Sequence, residues 1–186
     1  MKLMTKPAIL LAVGGLFLLP GLPALAQKTD QSVNSRPLSI GDGHFVREAG
    51  EGGIFQVAAG RLAVQKASNS DIRQFGQRMI DDHSKANDEL KRIAAKDSLT
   101  FPARMSSRDH ATLNRLSNLS GTAFDRAYIR DMVKDHESDL AAFQREANNG
   151  ANADVKTWAM NTVPMIQDHL SQAKMAEGSI GVVSRK

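Results

Sequence analysis

Four long stretches of this chain repeat apolar residues every three or four positions, and that period constrains the fold more than any other feature. In residues 71–96 the stripe is Ile72, Phe75, Met79, His83, Ala86, Leu90 and Ile93, with steps of 3, 4, 4, 3, 4 and 3. Such a row makes one face of an α-helix apolar and obliges that face to pack on other helices. Residues 42–67 carry Phe45, Ala49, Gly52, Phe55, Ala59 and Leu62 in the same way. Residues 122–147 carry Phe124, Tyr128, Met132, His136, Leu140 and Phe143, and residues 154–177 carry Val155, Trp158, Thr162, Met165, His169 and Ala173. Asn69-Ser70 and Asn148-Asn149-Gly150 break the first and third stretches. No strand-like alternation lasts four residues outside the loops, so the expectation is all-α.

The breaks between stretches one and two, and between three and four, are short and make two helical hairpins. The connection over residues 98–120 is long. It opens with a loop through Pro102, continues in a short helix capped by Ser106 or Ser107 with Leu113 and Leu116 inward, and ends at Gly121. A helix of about 26 residues is roughly 39 Å long. The connection is long enough to travel back along such a bundle and start the third long helix parallel to the second, which a plain up-down bundle would not need. The expected fold is therefore an all-α, ferritin-like four-helix bundle: two helical hairpins joined by a long crossover with a short extra helix. The hairpins also repeat faintly. Asp71-Ile72-Arg73-Gln74-Phe75-Gly76 and Asp154-Val155-Lys156-Thr157-Trp158-Ala159 share the order acid, β-branched, basic, polar, aromatic, small.

The first 26 residues read as an address. Lys2 and Lys6 precede an apolar run over 7–19, and Ala24-Leu25-Ala26 is a small-x-small cleavage site before Gln27, the layout of a secretory signal peptide. The uncharged stretch 7–27 is almost long enough to span a bilayer, but Pro20, Gly21 and Pro23 break its second half. Cleavage after residue 26 leaves a flexible lead-in over 27–41, the bundle over 42–177 and a flexible tail over 178–186, with the periplasm as the expected location. It also removes two lysines, so the formal charge of +4 falls to +2. No basic cluster with interleaved aromatics remains, which argues against nucleic-acid binding, and no membrane insertion is expected after cleavage. Protein partners and oligomeric state are not legible. The absence of cysteine excludes disulfides, thiolate metal sites, cysteine nucleophiles and a lipid-modified N-terminal cysteine.

One motif occurs three times: Met79-Ile80-Asp81-Asp82-His83, Met132-Val133-Lys134-Asp135-His136 and Met165-Ile166-Gln167-Asp168-His169. Each Met and His are four apart, so they stack on one helical face, and all three His fall on the apolar stripe. Each His also lies near the middle of its helix. Midpoints of packed helices meet whatever their direction, so His83, His136 and His169 are expected in one interior layer. The preceding Asp82, Asp135 and Asp168 are rotated about 100° toward the helix seams, where each could reach a neighbour's His. The first helix meets this layer near Gly52, Gly53, Phe55 and Gln56, and the glycine pair leaves room for a ligand or water. Pro164 should kink the last helix.

Two readings of the layer stand. Imidazole suits zinc, copper and iron, and thioethers suit Cu(I), so the three His, three Asp and Met79, Met132 and Met165 can form a transition-metal site. Alternatively, Asp accepts from His across helix pairs and the methionines fill gaps, and the layer fixes register within a non-catalytic interaction module. A di-iron centre of the usual kind wants Glu-x-x-His on two helices. The residues three before each His are Ile80, Val133 and Ile166, and no Glu-x-x-His exists in the chain. His44 and His110 are expected in solvent. No nucleophile–base–orienter set is legible, so no catalytic residue is assigned.

The chain resembles a bacterial exported family, domain of unknown function 4142, often labelled an outer-membrane protein. The resemblance spans about residues 45–176 and rests on Gly52-Gly53, Val57 and Gly60-Arg61-Leu62-Ala63, then Phe75 through Asp82-His83. It continues with Gly121-x-x-Phe124-Asp125-x-x-Tyr128, Asp135-His136, and Pro164 followed by His169. It implies a ferritin-like bundle and no established activity, substrate or metal. The mature chain carries neither β-barrel strands nor a lipid anchor to support the outer-membrane label.

Overall fold

A computed structural model describes residues 40–183, with side chains over 41–180. The expected signal peptide and most of the expected lead-in lie outside the described residues. The described chain forms α1 (Ile40–Lys66), α2 (Ser70–Lys96), α3 (Ser107–Ser117), α4 (Gly121–Asn149) and α5 (Ala153–Val183), with no strand among these residues. Helices α1 and α2 pack as one antiparallel hairpin and α4 and α5 as the other, while α1 meets α4 and α2 meets α5. The start of α4 lies against the end of α1, and the start of α1 against the end of α4. Helices α2 and α4 are therefore parallel on one diagonal, as the long crossover with α3 requires.

The caps are those the sequence announces. Asn69 Oδ1 accepts from the N–H groups of Asp71 and Ile72 at the head of α2, and Ser106 Oγ accepts from Asp109 N–H at the head of α3. One boundary differs. The tail expected over 178–186 is instead helical as far as Val183, and Ile180 joins the buried core. Burial of that side chain outweighs the poor helix propensity of a single glycine. No helix among the described residues is long and apolar enough to cross a membrane.

The faint repeat is structural. Asp125, near the start of α4, accepts from Ser68 N–H at 3.0 Å and Asn69 N–H at 3.0 Å in the α1–α2 turn, and also from the Ser68 hydroxyl. Asp42, near the start of α1, accepts from Ala151 N–H at 2.9 Å and Asn152 N–H at 3.2 Å in the α4–α5 turn. Asn152 then caps α5 as Asn69 caps α2, accepting from Asp154 and Val155. Asp42 and Asp125, Asn69 and Asn152, and Phe75 and Trp158 are each separated by 83 residues. Each hairpin thus uses a carboxylate from its first helix to clasp the turn of the other. Asp125 belongs to the motif that carries the family resemblance, and the clasp explains its place there.

Helices α1 and α2 touch backbone to backbone. A Cβ on Gly76 would lie 2.7 Å from Ala63 Cβ and 2.9 Å from the Gly60 carbonyl, and one on Gly60 would lie 2.6 Å from the Gly76 carbonyl. Gly76→Val is expected to cost about 3 kcal/mol by forcing the helices apart. Urea unfolding measures this, and a loss below about 1 kcal/mol would show that the crossing yields easily.

The core falls into two apolar halves. One gathers Phe55, Ile72, Phe75, Met79, Phe124, Tyr128 and Met132 near the α1–α2 turn. The other gathers Phe45, Leu90, Phe143, Val155, Trp158 and Ile166 near the α4–α5 turn. Phe45 meets Phe143 and Trp158 edge to face in the second half, with Phe45 and Phe143 centroids 4.9 Å apart, and Phe143 and Trp158 are tilted at 46° to each other. The three motif histidines lie at the junction of the halves.

Candidate metal centre

His83 comes from α2, His136 from α4 and His169 from α5, each from mid-helix. Helix direction does not move a midpoint, so the three rings share one layer. Their centroids are 5.9, 5.4 and 5.4 Å apart. His136 and His169 are wholly buried and His83 is 7% exposed. One ring nitrogen from each, within 4.8 Å of the others, can face a common ion.

Two of the rings have one nitrogen engaged. His136 Nδ1–H donates to the Met132 carbonyl at 2.8 Å, and His169 Nε2 meets Asp82 Oδ2 at 2.9 Å. His136 Nε2, His169 Nδ1 and His83 Nε2 are buried with no hydrogen-bond partner among the described residues. Buried polar nitrogens ordinarily find partners, and an orphan costs about 1–3 kcal/mol. A carbonyl orients His136 and a carboxylate orients His169, the arrangement that fixes imidazole ligands around a metal, and His83 adjoins both rings.

Burial holds all three imidazoles neutral. It pushes His136 down to about 4, drives His83 well below its ordinary value with help from the other two rings, and lowers His169 against the pull of Asp82. Burial alone would raise Asp82, but its bonds to His169 and Arg78 outweigh it, and Asp82 stays ionised. Arg78 also holds Asp168 at 2.5 Å, so one guanidinium bridges two carboxylates behind His169.

The three aspartates do not act alike. Asp82 reaches a neighbour's His, as the seam argument expects. Asp168 is exposed and binds Arg78 and Gln172 instead. Asp135 faces the groove between α1, α3 and α4, where burial and then Asp109 and Asp131 raise it to about 6. The reason is geometric: the same 100° step points at a different neighbour on each helix. The methionines divide likewise. Helices α2 and α4 run parallel, so Met79 and Met132 fall on one side of the layer. Helix α5 runs against them, so Met165 packs into the other half. Pro164 lies on the exposed face of α5, which continues through it. His44 and His110 are exposed, as expected.

The glycine pair does less than expected on one side and more on the other. A Cβ on Gly53 would lie 2.0 Å from Asn87 Oδ1, so Asn87 fills that room, whereas a Cβ on Gly52 would meet nothing within 4 Å. Beside His83 is a cavity of about 20 Å³ lined by Gly52, Gly53, Ala86, Asn87, Asp139 and Ile166, among others. That is room for one water. The repeat of 83 residues explains its position. Gly53, Ala86 and Ile166 are the counterparts of His136, His169 and His83, so the bundle builds the histidine trio once and places two small residues and an isoleucine at its twin. Asn87 and Asp139 escaped the sequence reading, although Asn87 is four residues after His83 and Asp139 three after His136, on the same helical faces.

A ferritin-like four-helix bundle with a buried trio of histidines defines the class. Residues 27–176 match the family described as Domain of unknown function (DUF4142), and the chain belongs to that family. Comparison with curated proteins finds no match. Among solved structures, the chain is similar in fold to a crystal structure of a DUF305 fragment from Deinococcus radiodurans. The TM-score is 0.66 at 14% identity, covering 78% of this chain and 98% of that one.

Proposed function

We propose that this is an exported, periplasmic protein that binds one transition-metal ion through His83, His136 and His169. The observation that carries the reading is that three buried imidazoles each offer a ring nitrogen within 4.8 Å of the others, and that each ring also has a buried nitrogen with no hydrogen-bond partner among the described residues. The signal-like residues 1–26 support export.

Charge favours copper in its monovalent state. The three neutral imidazoles supply no charge, and Asp82, Asp168 and Arg78 behind His169 sum to −1. A monovalent ion makes the assembly neutral. A divalent ion leaves one positive charge in a dry layer unless an anion joins it, and uncompensated buried charge is costly. Imidazole is a normal ligand for copper, zinc and iron alike, and three ligands suffice for Cu(I).

Elemental analysis of the exported protein, purified without chelator, tests the reading beside a His83→Ala/His136→Ala/His169→Ala variant checked for folding by circular dichroism. Near-stoichiometric metal, lost in a folded variant, is expected. A metal-free wild type with full stability would leave the layer as a register-fixing device within an interaction module. Asp82→Asn is expected to weaken copper binding about 10–100-fold, since it removes the carboxylate that orients His169. A competition titration measures this, and an unchanged affinity would remove Asp82 from the site.

A further inference from the structure

The histidine layer is closed above and below by the two apolar halves, so an ion must reach it from the side. The α1–α2 seam has backbone contact at Gly60 and Gly76. The seam between α1 and α4, beside α3, is open: it holds a groove of about 520 Å³. Five carboxylates line it, Glu48, Glu51, Asp109, Asp135 and Asp139, against the cations Arg108, Lys134 and Arg145. This groove and the small cavity beside His83 share Ala49, Gly52, Asp139 and Phe143 as walls. At Gly52 the partition has no side chain, and the space a Cβ would occupy is empty to 4 Å.

An independent feature points the same way. Gln56 lines the groove, is 1% exposed, and its Oε1 has no hydrogen-bond partner among the described residues. In the antiparallel α1–α2 pair Gly60 faces Gly76 and Gly53 faces Asn87, which puts Gln56 at the level of His83. A buried carbonyl oxygen with nothing to accept from, at the depth of the histidines, is a donor for a passing cation.

We propose that the groove between α1, α3 and α4 is the route by which the metal ion reaches the histidines, crossing beside Gly52 between Asp139 and Gln56. The proposal rests on the metal-binding reading above and assigns these three residues to access, not to coordination. Carboxylates at the mouth attract a cation, Asp139 stands in the partition, and Gln56 offers a neutral oxygen before the imidazoles take over. The helical position of Gly52 tolerates a larger residue, since leaving glycine improves helix propensity.

The test separates rate from equilibrium. The full chain, freed of metal, is mixed with copper(I) supplied as its acetonitrile complex, and uptake is followed by stopped flow. Gly52→Leu is expected to slow uptake at least tenfold while stoichiometry and affinity stay within twofold of wild type, with release slowed equally. At pH 8, where the Asp139 carboxyl is ionised, Asp139→Asn is expected to slow uptake severalfold and flatten its dependence on salt. Unchanged rates in both variants would overturn the route and leave the histidine site standing. Loss of affinity at unchanged rate in Gly52→Leu would also overturn it, by making Gly52 part of the site's shape. A wild type that takes up no copper would remove the site and the route together.

Discussion

Copper(I) at a hundredfold excess over its dissociation constant is expected to stabilise the folded chain by about 2.7 kcal/mol, a rise in Tm of roughly 5–10 °C for a domain of this size. The gain comes from pairing nitrogens that the metal-free fold leaves without partners. Three buried, unpartnered ring nitrogens are a standing cost in the empty protein, and the unfolded chain escapes it by hydrating its imidazoles. His136→Leu fills similar volume, cannot ligate, and removes one orphan. It is expected to raise metal-free stability slightly and to abolish most of the copper-dependent rise. Thermal unfolding with and without copper, at fixed protein concentration, measures both. Equal rises in wild type and variant would mean that copper binds elsewhere.

Acid is expected to have the second large effect. His136 titrates at about 4 in the folded protein, below the ordinary value of 6.5. A histidine lowered by folding takes up a proton on unfolding, so its contribution is fully present above 6.5 and is lost as pH falls toward 4. The gap corresponds to about 3 kcal/mol for His136, and His83 and His169 act in the same direction. Three carboxyls oppose them. Asp135 rises to about 6, and Asp139 and Glu146 to about 7, chiefly by burial. Raised acids contribute stability at low pH that is lost as pH climbs through those values. The carboxyl contributions cancel when wild type is compared with His136→Leu at each pH. The stability difference between the two is expected to shift by about 3 kcal/mol against wild type between pH 7 and pH 4. Parallel curves would show that His136 is not held neutral by burial.

Much of this was legible in the residues, for identifiable reasons. The 3.6-residue period marks the long helices because apolar residues must face the core, and Asn69 and Ser106 stop or start helices by bonds that reach only two or three residues. His83, His136 and His169 were found because they lie on those stripes at mid-helix, where direction does not matter. What escaped depends on which helix stands next to which. Asp82, Asp135 and Asp168 look identical in the motif, yet one meets His169, one faces a groove and one meets Arg78. Asp139 and Asn87 carry no local pattern, and their importance appears only when α1 is packed beside them. The end of α5 lies beyond the expected one because burial of Ile180 is a long-range effect.

The most direct measurement is copper-edge X-ray absorption on the anaerobically loaded chain, with the copper content determined on the same sample. One copper per chain with a first shell of three imidazole nitrogens is the predicted result. A first shell of sulfur or carboxylate oxygen, or less than a tenth of an equivalent of copper, would contradict the assignment of His83, His136 and His169 as the metal ligands.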